Sequence, residues 1–147
     1  MDVLQPADTG TVLRGQTVQY EVTVRNKNDS APICNVSVDQ IKRNSTTGYE
    51  QTILVGLPLP WTGTPGRMEG GETLTTTTSY LVTGEDVDPL NMVFEVTAED
   101  CGTAAEVSDR TARILDISDV QLNTQLTPSV EPALVDTTVQ FLSLIHI

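Results

Sequence analysis

The chain is poor in the residues that most enzymes need. Its 147 residues hold one histidine, His146, placed one residue from the end. Ser-His-Asp and Cys-His arrangements need an imidazole base held by the fold. A zinc site would lack its commonest nitrogen ligand, and two cysteines do not close a tetrahedral site. The one glycine-rich stretch, "GRMEGGET", lacks the Lys-Ser/Thr ending of a phosphate loop. Glu99 and Asp100 are adjacent, so on a strand they point to opposite faces and cannot share a site. Basic residues are scarce too: 8 Lys and Arg face 20 carboxylates, for a formal net charge of −12. Such a chain is repelled by nucleic acid and by anionic lipid, which excludes both as partners. A long apolar run is also missing, since spanning a bilayer takes about 20 apolar residues. "MDVLQPADTG" has neither the basic start nor the apolar stretch of a signal peptide. An export signal is therefore expected to be encoded elsewhere or to be absent, and Met1 reads either as an internal methionine or as the start.

What the chain has is threonine, valine and alternation. β-Branched side chains suit a pleated, half-buried surface. "TVQYEVTVRN" (17–26) puts Val18, Tyr20, Val22 and Val24 on one face, the mark of a strand buried on one side. "ICNVSVDQ" does the same with Cys34, Val36 and Val38. "YEQTILVGL" reads as a further strand, and "PLPWTGTPGRMEGG" as an extended loop. "ETLTTTTSYLVT" aligns Leu74, Thr76, Thr78, Tyr80 and Val82; "LNMVFEVTAED" aligns Met92, Phe94, Val96 and Ala98. Between them Thr83 and Asp86 are spaced to cap one helical turn before Pro89. "CGT" predicts a tight turn, and "AEVSDRTARILDI" a closing strand. No segment sustains a helical period. Six or seven short strands separated by turn residues predict an all-β, antiparallel β-sandwich.

"VLRGQTVQY" (12–20) matches "ALVDTTVQF" (133–141) at an offset of 121 residues, about one sandwich plus a connection. On this reading residues 2–117 form one repeat and 118–141 the truncated start of a second. The second copy should continue after Phe141 with something like "EVTVRN". It continues instead with "LSLIHI", which resembles the translated end of a sequencing adapter. Residues 142–147 are therefore read as a non-native tail, and His146 drops out of any functional role.

The order "GQTVQYEVTVRN…NVSVDQ…GGETLTTTTSYLVTGEDVDPLNMVFEVTAED…VSD" resembles the "domain of unknown function 11" family and its relatives. The features that carry it are Gly15 with Thr17-Val18, the "VTVRN" and "NVSVD" strands, Gly71 with Thr73, Asn91, and Ser108-Asp109. The loop "PLPWTGTPGRM" and the two cysteines depart from that pattern. The resemblance implies an Ig-like sandwich arrayed in tandem in large bacterial or archaeal surface proteins, with no catalytic residues. It implies an extracellular or cell-surface spacer whose partners are neighbouring repeats. In such a sandwich the third and sixth strands are antiparallel neighbours, so Cys34 and Cys101 would meet at one end. The alternatives there are a disulfide or two unlinked thiols.

Three further readings concern sites. Glu85, Asp86 and Asp88 on one loop read first as a solvated acidic turn and second as weak calcium candidates, since six to eight oxygen ligands are needed and the full loop spacing is absent. Trp61 among prolines reads either as a loop anchor packed on the sandwich or as the contact residue of an adhesin-like module for glycans or proteins. Sequons at Asn28, Asn35 and Asn44 would accept glycans in a competent host.

Overall fold

The computed structural model describes residues 10–118 and the backbone of residues 142–146. Eight strands are present: β1 (Thr11–Leu13), β2 (Thr17–Arg25), β3 (Ile33–Arg43), β4 (Glu50–Leu54), β5 (Thr73–Leu81), β6 (Leu90–Asp100), β7 (Glu106–Ser118) and β8 (Leu142–His146). There is no helix among the described residues. The strands form a β-sandwich of two sheets, with orders β1-β7-β6-β3-β4 and β5-β2-β8. All neighbouring pairs are antiparallel except β1 with β7 and β2 with β8.

The alternation of the sequence builds the interior directly. Val18, Tyr20, Val22 and Val24 of β2 are buried, and so are Leu90, Met92, Phe94, Val96 and Ala98 of β6. Across the gap the Tyr20 and Phe94 rings meet edge to face with centroids 5.4 Å apart, a favoured aromatic geometry. Burying each such side chain stabilises the fold by about 1.5–3 kcal/mol.

The proline-rich segment does more than connect. After β4 the chain turns at Gly56, where φ is 72°, a conformation glycine adopts without steric cost. Leu57 and Leu59 then point inward and are buried. The Leu57 amide donates to the Val38 carbonyl (2.8 Å), and the Thr76 hydroxyl donates to the Pro58 carbonyl (2.7 Å). One residue thus ties to β3 and the next to β5, which closes that side of the sandwich. The prolines have no N–H to satisfy, so this edge needs no ladder partner. Further on, Met68 is fully buried and pairs with Ile33 through reciprocal backbone bonds of 2.9 and 3.0 Å. Asn26, fully buried, donates its side-chain amide to the carbonyls of Ala31 (2.9 Å) and Glu69 (3.2 Å).

Two expectations need correction here. The stretch read as one strand from Tyr49 to Leu57 is paired only over Glu50–Leu54, because Gly56 turns the chain away. The helical turn at Thr83 is a plain turn: the Thr83 amide donates to the Asp86 carboxylate at 2.7 Å, but Pro89 follows too soon for a helix to propagate.

The expected second repeat falls mostly on residues 119–141, which lie outside the described residues. Residues 142–146 pair in parallel with β2, from Glu21 opposite Leu142 to Arg25 opposite His146. An open sheet edge accepts any extended segment tethered within reach, so this ladder carries no information on the origin of residues 142–147.

Candidate functional site

The residues singled out in the sequence do not converge. Trp61 is half-buried and packs against the hydrophobic core, which makes it an anchor for the proline segment. The three loop carboxylates go separate ways. Asp86 turns inward, Asp88 accepts the Ile117 amide at 2.8 Å, and Glu85 is exposed. No cluster of three or more metal-ligating side chains occurs among the described residues. Of the calcium candidates Glu85, Asp86 and Asp88, two are thus spent on internal bonds.

Asp86 is instead the centre of a polar cluster that the sequence did not reveal. Its side chain is fully buried and accepts from Lys42 Nζ (2.7 Å), from the Tyr80 hydroxyl (2.7 and 3.0 Å) and from the Thr83 amide (2.7 Å). Lys42 Nζ also reaches the Tyr80 oxygen at 3.0 Å. Arg14 donates to the carbonyls of Thr83 and Asp86, which holds the turn from outside. Burial alone would raise the Asp86 carboxyl, but the hydrogen bonds from Lys42, Thr83 and Tyr80 outweigh it and hold it below the ordinary carboxylate value. Burial likewise pulls the Lys42 ammonium down, and the bonds to Asp86 and Tyr80 carry it above its ordinary value. Tyr80 is raised, chiefly by burial. An amine held protonated beside a carboxyl held ionised is a salt bridge, and its hydrogen bonds to Tyr80 and Thr83 fix both groups in place.

Strand register explains why polar side chains stand here. Lys42 is opposite Gln51 in the β3–β4 ladder, so both project from the same, inner, face. A cleft of about 240 Å³ opens between these strand ends and residues 85–90. Lys42, Asn44, Tyr49 and Gln51 line one wall; Glu85, Asp86, Val87 and Leu90 line the other.

The opposite pole is covalently closed. Cys34 and Cys101 form a disulfide with Cα atoms 5.1 Å apart. Asp100 accepts the Gly102 and Thr103 amides at 2.7 and 3.0 Å, which shapes the turn carrying Cys101. The three sequon asparagines differ in setting. Asn35 sits in a β-bulge with φ 54° and donates its side-chain amide to Glu99 at 2.8 Å. Asn28 and Asn44 instead use their side-chain oxygens to accept amides two residues on. On the outer face of the larger sheet Arg110 holds Glu50 through two bonds (2.8 and 3.0 Å) and Glu95 through one (2.9 Å). The Arg110 bond holds the Glu50 carboxyl below its usual range.

Compared with protein-family models, curated proteins and solved structures, the chain matches none. No helix among the described residues is long and apolar enough to cross a membrane.

Proposed function

We propose that this chain carries a non-catalytic, Ig-like structural domain, a spacer in an extracellular or cell-surface protein, and that its neighbours are further copies of the same unit. The observation that carries the reading is the parallel pairing of β1 with β7, Thr11 opposite Asp116 through Leu13 opposite Ser118. β1 and β7 run the same way, so the chain enters and leaves the larger sheet in one direction. That is the path a head-to-tail array needs. Tension applied through the two ends would load the β1–β7 hydrogen bonds in shear, all together, whereas a hairpin pulled from one end opens a bond at a time. The Ig-like assignment is supported by the pairing of the third and sixth strands in one sheet against the second and fifth in the other. The disulfide supports an oxidising location outside the cytosol. The calcium and Trp61 adhesin readings gain nothing from the geometry.

Force spectroscopy on the chain held by its ends tests the spacer reading. One cooperative unfolding event is expected, with residues between Cys34 and Cys101 shielded until the bond is reduced. Reduction should lengthen the released chain by the extended span of 67 residues, roughly 220–240 Å. Gradual extension with no cooperative event would sink the spacer reading.

A further inference from the structure

The cleft beside the Lys42–Asp86 pair has features that a spacer does not require. Tyr49 stands at its rim with 64% of its surface exposed, the ring unsupported by the core. Gln51 on the same wall is exposed, and its side-chain amide has no hydrogen-bond partner among the described residues. Asn44 is oriented by its own turn: its Oδ1 accepts the Thr46 and Thr47 amides at 2.8 and 3.0 Å, which leaves its NH₂ uncommitted. Lys42 uses two of its three N–H donors on Asp86 and Tyr80, and its side chain keeps 25% exposure. Glu85, across the cleft, makes no ion pair among the described residues.

The physical character of the cleft restricts its ligand. At about 240 Å³ it falls below the roughly 300–1,000 Å³ of sites for drug-sized molecules, so it fits one small ring. Lys42 is offset by Asp86 and Arg43 stands 3.9 Å from Glu50, so no free positive charge is offered to an anion. The chain as a whole carries −12, which disfavours anions further. Val87 and Leu90 supply the only aliphatic lining, too little to drive binding of an apolar molecule. What remains is a planar ring surface flanked by side-chain amides and a carboxylate, which offer donors and acceptors side by side.

We propose that this cleft binds a neutral pyranose, with Tyr49 stacked on its C–H face and Gln51, Asn44 and Glu85 bonded to its hydroxyls. A sugar ring is the ligand class that presents an apolar face together with groups that both donate and accept. The floor is prepared in advance, because the Lys42–Asp86–Tyr80 cluster and the Asn44 turn are fixed by internal bonds. With few contacts and one ring, the affinity belongs in the millimolar range. This binding role is independent of the spacer reading and would add display of a ligand site to each unit.

The test is a titration of unglycosylated, ¹⁵N-labelled full chain with D-glucose, D-galactose, D-mannose and N-acetyl-D-glucosamine, read by amide chemical shifts. At least one sugar should give saturable shifts confined to residues 42–51 and 83–90. Affinity should drop at least tenfold, as a fold-change in the dissociation constant, in Tyr49→Ala and in Gln51→Ala. Both side chains are exposed, so both variants should keep the wild-type melting curve. Three outcomes overturn the proposal: no saturable shift with any of the four sugars, shifts centred on Trp61, or binding undiminished by Tyr49→Ala.

Discussion

Replacing Asp86 by alanine should be among the most damaging single changes at the cleft end of the sandwich. The substitution removes an acceptor that satisfies Lys42, Tyr80 and Thr83 together. Removing one partner of a buried pair costs about 3–5 kcal/mol, because the other charge is left uncompensated. Lys42 keeps one quarter of its side-chain surface exposed and can recover some hydration, which places the loss near the bottom of that range, about 3 kcal/mol. For a domain of this size that is a fall in Tm of about 12 °C. Urea unfolding followed by Trp61 fluorescence gives the direct measurement, with an unchanged denaturant slope expected. Asp86→Asn serves as the isosteric control for charge. The Asp86 carboxyl is held below its unfolded value, so its contribution is complete above the unfolded pKa of about 3.9 and is lost as pH falls through the lower folded value. The stability gap between wild type and Asp86→Asn should therefore be constant at neutral pH and close only at strongly acid pH. A loss within about 0.5 kcal/mol for Asp86→Ala, or a gap that does not close in acid, would refute the electrostatic account.

Two further perturbations probe the rest of the framework. Replacing both cysteines by serine opens a covalent loop of 67 residues, and the chain-entropy model sets the cost at roughly 4 kcal/mol at most, read from urea midpoints in the absence of reductant. A double variant as stable as the oxidised wild type would show that the bond adds nothing. Gly70→Ala would bring a Cβ to 2.5 Å from the Asp29 carbonyl oxygen, a backbone atom that cannot swing aside. It should cost about 1–3 kcal/mol, whereas Gly63→Ala, with nothing within 4 Å, should be near neutral. Equal melting temperatures for the two variants would remove the steric explanation.

How much of this was legible depended on whether local pattern or long-range pairing decided the outcome. The alternation of Val18, Tyr20, Val22 and Val24, and that of Met92, Phe94, Val96 and Ala98, is a local signal, and these residues are the core. β1 is three residues long and exists only because β7 offers an edge, so no pattern announces it. Leu57 read as the end of a strand and Leu59 as a loop residue among prolines, yet both close the sandwich, because inward alternation survives where backbone pairing does not. Asp86 read as part of an acidic turn suited to calcium. Its true partner, Lys42, lies 44 positions away on another strand, and nothing in a linear reading pairs them. The cleft was hidden for a related reason. Tyr49 and Gln51 line it together with Lys42 and residues 85–90, a meeting of distant segments that no local pattern announces.

The two polar devices acquire a common meaning once the ladder between β3 and β6 is traced. Its register runs from Ile33 opposite Asp100 to Arg43 opposite Asn91. Cys34, at one end, is bonded to Cys101, one residue beyond β6. Lys42, at the other end, is bonded to Asp86, four residues before β6 begins. The same two central strands are thus fastened at both ends, once by a covalent bond and once by a buried ion pair. The two fastenings respond to different conditions, since reductant acts on the first and acid on the second. Neither alone frees the ladder, because Val36, Val38, Met92, Phe94 and Val96 between them remain buried. A chain that loses only one fastening keeps the other end of its central ladder closed.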